Sequence, residues 1–140
     1  MFTTNRAPVL GKPVTLDELR DQMIRPLDDP RVHAALCNGA LGSAPLRAEA
    51  YTVDRLDGQL NDQARRFIGS PAHNAALGDA LLLSPIFQWF APDFDGPPFH
   101  GPLGFLRLYA DEDTAIAHLL ARQKLPPIEY MDFNWALNSR

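Results

Sequence analysis

The sequence predicts an α+β fold, a small mixed or antiparallel sheet with four to five short helices packed on it. Three observations predict it. Apolar residues make up 46% of the 140 residues and charged residues 21%, enough to close one core without the charge excess of a disordered chain. Thirteen prolines, about twice ordinary usage, fall mostly between apolar blocks and cut the chain into short elements. Those blocks read in the order helix–strand–helix–strand–helix–helix–helix–strand, with 3.6-residue periodicity in the helices and short apolar runs in the strands.

Residues 1–13, with Pro8, Gly11 and Pro13, read as an irregular N-terminal arm with a short strand around Val9-Leu10, and residues 14–140 as a single domain. Thr15 and Glu18 form a capping box, which predicts a helix with Leu16, Leu19 and Met23 turned inward and Pro26 at its end. Asp28-Asp29-Pro30 reads as a turn. Val32 to Cys37 is a short apolar run that fits a buried strand, and the glycines and proline of Asn38 to Arg47 predict a tight loop. A second helix is expected from a Thr52 cap to Ile68, with Val53, Leu56, Leu60, Ala64 and Phe67 on its inner face.

Ala80 to Leu83 reads as a strand. Ser84-Pro85 then places a cap and a first-turn proline before the short apolar helix that holds Ile86, Phe87, Trp89 and Phe90. Three prolines and two glycines make Asp93 to Pro102 a loop, followed by a helical stretch from Leu103 to Tyr109. Asp111 to Lys124 is expected to be an amphipathic helix, with Ile116, Leu119 and Leu120 inward and three acids in its first turn. Pro126-Pro127 breaks it, and Ile128 to Trp135 reads as the last strand.

Composition excludes several classes. A net charge of −4, with Arg65-Arg66 as the densest basic run, leaves no stripe for neutralising phosphates, so no nucleic-acid partner is expected. The longest nearly uncharged stretch, Ala80 to Pro92, is too short to span a bilayer as a helix. The single cysteine, Cys37, rules out an internal disulfide framework and a cysteine-based zinc site. Met1 to Arg6 lacks the apolar segment of a secretory signal, so the expected location is cytoplasmic. Asp28-Asp29 and Asp93-Phe94-Asp95-Gly96 fall short of a calcium loop, and the four histidines have no metal-ligand spacing. No metal or cofactor is expected, and a small-molecule ligand is disfavoured.

Candidate chemistry is sparse. His33 and Cys37 are the nearest imidazole and thiol in sequence, but on one strand they would stand more than about 10 Å apart. Cys37 therefore reads as a small buried hydrophobe, His33 as a structural imidazole bonded to backbone or a carboxylate, and Ser43 as a loop hydroxyl outside any nucleophile elbow. His118 and His100 read as surface and loop residues. Large aromatic rings concentrate in the C-terminal half. Phe87, Trp89, Phe90, Phe94, Phe99 and Phe105 are the candidate interface, since aromatic side chains anchor protein contacts.

Several blocks, taken together, carry a resemblance. They are Asp29 to Leu36, Pro45-Leu46-Arg47, Ala50-Tyr51-Thr52, Leu60 to Phe67, Leu83 to Phe90 with Asp93-Phe94, and Phe133-Asn134-Trp135-Ala136-Leu137-Asn138. In this order they resemble the second half of the domain of unknown function (DUF) 547 family across residues 12 to 138. The resemblance implies two cysteine positions, a Cys and, five residues later, a Cys-Pro. Here they are Asn38 and Ser43-Ala44, and the acid of the family's closing motif is Asn134. By analogy with papain-like and transglutaminase-like enzymes, those family positions suggest a nucleophile and a base. The departures imply a shortened relative with a degenerate active site.

The resulting expectation is a non-catalytic protein-interaction or accessory-subunit domain that completes a homo- or hetero-oligomer, with a protein partner or a second copy. The alternative is a cysteine- or serine-dependent hydrolase or acyl transferase, whose site would draw on Ser43, His33, Asn134 and Cys37.

Overall fold

A computed structural model describes residues 6–139; the first five residues of the expected N-terminal arm lie outside the described residues. Instead of an irregular arm the chain opens with an antiparallel hairpin, β1 (Arg6–Val9) against β2 (Lys12–Thr15), pairing Val9 with Lys12 and Arg6 with Thr15. Its two-residue turn puts Leu10 and Gly11 at φ 50° and 76°, the positive-φ pair that a tight hairpin needs. Leucine gives little sequence warning of such a turn.

The capping box at Thr15 forms as expected: Thr15 Oγ1 accepts from Glu18 N at 3.0 Å and Glu18 Oε2 accepts from Thr15 N at 2.7 Å. The helix it starts is irregular. One α-turn, α1 (Leu16–Glu18), widens into a π-helical stretch, Leu19–Ile24, and tightens to a 3-10 turn, Arg25–Leu27. The inward face predicted for it is corrected: Leu16 is 47% exposed, and no residue of these three segments is buried. Leu16 and Leu19 line a cavity instead.

Val32 to Cys37 is not a strand. Val32–Ala35 is helix α2, which buries His33 and Ala34. Asp29 Oδ1 accepts from Arg31 N at 3.0 Å, so Asp28-Asp29-Pro30 makes the expected turn, which leads through Arg31 into the helix. Arg31 then ties α2 to helix α3 (Leu56–Ile68), its Nη1 donating to Asp57 Oδ1 at 2.7 Å and Asn61 Oδ1 at 2.8 Å. Tyr109 Oη donates to the same Asn61 oxygen at 3.0 Å, adding a third helix to this joint.

Helix α3 begins three residues later than expected, because the Thr52 hydroxyl caps no backbone N–H and only receives Arg55 Nε at 3.4 Å. Its buried face is Gln59, Leu60, Gln63, Ala64, Phe67 and Ile68. Val53, expected inside, is 98% exposed, and Leu56 is exposed as well. Two glutamines lie inside because their amides hold the preceding loop. Gln59 Nε2 donates to Ala50 O at 3.0 Å, its Oε1 accepts from Thr52 N at 3.0 Å, and Gln63 Nε2 donates to Pro45 O.

A second sheet has the order β3 (Ala75–Leu77), β4 (Ala80–Leu83), β5 (Ile128–Tyr130). Strand β3 was not expected; it pairs antiparallel with β4 through a Gly78-Asp79 turn, with Gly78 at φ 59°. Strand β5 runs parallel to β4, Leu81 opposite Ile128, and stops at Tyr130 rather than Trp135. Among the described residues there are therefore two small sheets, not one, with short helices packed around the second: an α+β architecture.

Between β4 and β5 lie α4 (Ile86–Trp89), α5 (Ala91–Phe94), α6 (Pro102–Tyr109) and α7 (Ala115–Leu120). Part of the expected Asp93 to Pro102 loop is thus the end of α5. Helix α7 is much shorter than Asp111 to Lys124. Thr114 caps it, its Oγ1 accepting from Ala117 N at 3.3 Å, so the acids Asp111 to Asp113 precede the helix. Ile116, Leu119 and Leu120 are buried as predicted.

The core explains most of the aromatic excess. Phe87, Phe94 and Phe105 are almost fully enclosed and interlock, with ring centroids 4.9 Å apart for Phe87–Phe94 and 5.2 Å for Phe94–Phe105. Phe99 packs 5.1 Å from Phe105. The expected interface is corrected at these four positions: their rings are spent inside this chain. Trp89, 47% exposed, and half-buried Phe90 remain at the surface.

Candidate functional site

The cavity that the α1 stretch faces is where the candidate chemistry meets. It has a volume of about 320 Å³ and takes residues from α1 through the following π-turn, from α2 and the loop after it, from α4, and from the segment past β5. Helix α2 brings His33 to it, and the chain leaving that helix brings Cys37 and Ser43. Trp89 and Phe90 of the α4 end, with Phe133 and Trp135, supply its aromatic lining.

His33 is buried and held on two sides. Its ring stacks on Phe90 at 4.3 Å and 18°, and its Nε2 lies 2.7 Å from Asp93 Oδ2. Asp93 is gripped in turn by Arg25, whose Nε and Nη2 donate to its two oxygens at 2.7 and 2.8 Å. That bidentate pair holds the Asp93 carboxyl below its ordinary range, with a further contribution from the His33 bond. Burial pushes the His33 imidazole down more strongly than Asp93 raises it. The ring is therefore neutral at pH 7, Nε2 carries the proton donated to Asp93, and Nδ1 presents a lone pair. Nδ1 has no hydrogen-bond partner among the described residues.

The two candidate nucleophiles turn to each other. Cys37 Sγ lies 3.4 Å from Ser43 Oγ, and the Ser43 hydroxyl donates to Ala40 O at 2.8 Å. Ser43 is further fixed by His73, whose Nε2–H donates to Ser43 O at 2.8 Å while Nδ1 accepts from Ser70 Oγ at 2.8 Å. His33 and Cys37 share the cavity because α2 is a helix; on the expected strand they would have been held apart. Asn134 does not join them. Its Oδ1 accepts from Ala136 N at 3.0 Å, and it lines a second cavity of about 250 Å³ with His73 and Ser84. The carboxylate that orients His33 is Asp93, in the stretch the sequence predicts as a loop. The pair is 60 residues apart in the chain, and no local pattern announces it.

Charge around the cavity is balanced. Arg20 Nη2 lies 3.1 Å from Asp17 Oδ1 and 2.7 Å from Asp21 Oδ2. His100 and His118 are exposed, as expected. Among the described residues no cluster of three or more His, Cys, Asp and Glu forms that would hold a metal ion, and no helix is long and apolar enough to cross a membrane.

Residues 1–68 match the model of the family described as Protein of unknown function, DUF547. Over that segment the chain is similar to the DUF547 family. The DUF547 match ends with the last residue of α3 and takes in Arg25, His33, Cys37 and Ser43. Asp93 and the aromatic wall from Trp89 to Trp135 come from beyond it, so the cavity is built where the DUF547 segment meets the rest of the chain. No curated protein and no solved structure matched the chain.

Proposed function

We propose that this chain is a non-catalytic interaction domain, an accessory subunit that associates with another protein or a second copy of itself through the aromatic face around the cavity. The observation that carries this reading is a packed group of rings outside the core. Trp89, Phe133 and Trp135 stand 4.4 to 6.0 Å apart, and Trp89 and Trp135 stay 47% and 56% exposed. Reburial of a few hundred Å² of such surface, at roughly 25 cal/mol per Å², would stabilise an assembly by several kcal/mol. The bonds of Cys37 and Ser43 support the non-catalytic part, since neither is hydrogen-bonded to His33. A free cysteine suits a reducing compartment, which supports a cytoplasmic location.

Sedimentation velocity over the micromolar range tests this. The expected result is concentration-dependent association that Trp135→Asp abolishes. A chain that stays monomeric throughout, alone and with the proteins that co-elute with it from its source, would overturn the proposal.

One observation favours the hydrolase or acyl-transferase alternative: Cys37, Ser43 and a carboxylate-held His33 line a single cavity. That reading requires Cys37 in the folded protein to react with iodoacetamide faster than in urea, and His33→Ala to remove the difference.

A further inference from the structure

We propose that the cavity receives a tyrosine or tryptophan side chain of a partner protein, whose O–H or N–H donates to His33 Nδ1. This rests on the interaction reading above and names what that interface recognises. The volume of about 320 Å³ lies at the low end of ligand-sized pockets and suits one ring rather than an extended molecule. The walls are largely apolar, with Leu19, Leu36, Ile86, Phe90, Phe133 and Trp135 among them. The charged lining residues, Asp17 and Arg20, are paired with each other. A charged guest would lose its water and find no counter-charge, so the guest is uncharged.

Polarity inside the cavity then decides which uncharged ring fits. Asp93, fixed by Arg25, accepts the Nε2 proton and leaves His33 Nδ1 as a bare acceptor on a ring only 4% exposed. This acceptor has no partner among the described residues, and a guest with a donor supplies its hydrogen bond. Phenylalanine and leucine have no donor. A phenol or an indole has one at the end of an apolar body. The source is a polypeptide rather than a free phenol because apolar surface continues past the cavity. Leu16 stands at the rim and Leu137, 75% exposed, lies two residues beyond Trp135, leaving ground for the backbone that carries the ring.

NMR titration of the full chain with N-acetyl-L-tyrosinamide and N-acetyl-L-phenylalaninamide tests the assignment, since the two probes differ by one hydroxyl. The tyrosine probe is expected to bind at least fivefold more tightly and to shift the His33 Nδ1 resonance. Leu16→Arg, at an already exposed position, is expected to weaken it at least tenfold. Equal affinity for the two probes, or no response at His33, would overturn the assignment even if Trp135→Asp abolishes association, which separates this failure from failure of the interaction reading. Tighter binding of p-cresol than of the tyrosine probe would also overturn it, because the guest would then be a small molecule.

Discussion

Asp93 Oδ2 lies 2.7 Å from His33 Nε2, and this contact joins α2, inside the DUF547 segment, to α5, beyond it. Arg25 closes the same joint from the 3-10 turn. Two neighbouring turns near the start of the chain are thereby locked to a carboxylate 60 or more residues away, and the lock sets which nitrogen of His33 is left free.

Asp93→Asn removes the charge that Arg25 and His33 both use. Hydrogen bonds to charged groups contribute about 1.5–3 kcal/mol, and the Arg25–Asp93 pair is mostly shielded from water. The variant is expected to lose stability in that range, measured by urea unfolding at pH 7, and to titrate His33 lower than the parent protein because the group that raises it is gone. A loss below about 0.5 kcal/mol would show that the joint is incidental to the fold.

Stability is expected to fall on acidification in two stages. The His33 imidazole is depressed by burial, so near its unfolded value of about 6.5 the unfolded chain takes up a proton that the folded chain refuses. Stability therefore declines as pH falls below that value and levels off once folded His33 is itself protonated. Asp93 is depressed by Arg25, so its contribution is full above about pH 4 and is lost as pH falls through its lower folded value. Urea midpoints from pH 8 to pH 3 check this, and His33→Gln should flatten the first stage only.

Gly42→Ala is expected to unseat the wall of the cavity. A β-carbon there would come 2.8 Å from Asn134 N and 3.0 Å from Phe133 Cδ2, and Gly42 N donates to Asn134 O at 2.9 Å. The loop and the segment after β5 cannot both keep their places, at a cost of about 1–3 kcal/mol. The chain's two tryptophans, Trp89 and Trp135, both line the cavity, so their emission should shift with the loss of stability. Unchanged emission and stability would mean that the 133–138 segment yields without consequence.

Local chemistry was legible wherever a short range decides it. The Thr15–Glu18 capping box, the Ser84-Pro85 helix start, strand β4 and the inward residues of α7 all follow from neighbours within a few positions. Gly78-Asp79, which turns a hairpin, carries the same kind of short-range signal. The resemblance, carried by residues 29 to 67 among others, agrees with the family match over residues 1–68.

What the sequence by itself determined is an α+β chain of short, proline-cut elements with one thiol and an uncommitted imidazole. Only the tertiary structure decided which rings fill the core and which stay at the surface, that Gln59 and Gln63 lie inside, and that Asp93 rather than Asn134 holds His33. The physical reason is range. Caps and periodicity act over one turn of helix, whereas burial of a ring and pairing of a carboxylate with an imidazole 60 residues away depend on which surfaces the folded chain brings together.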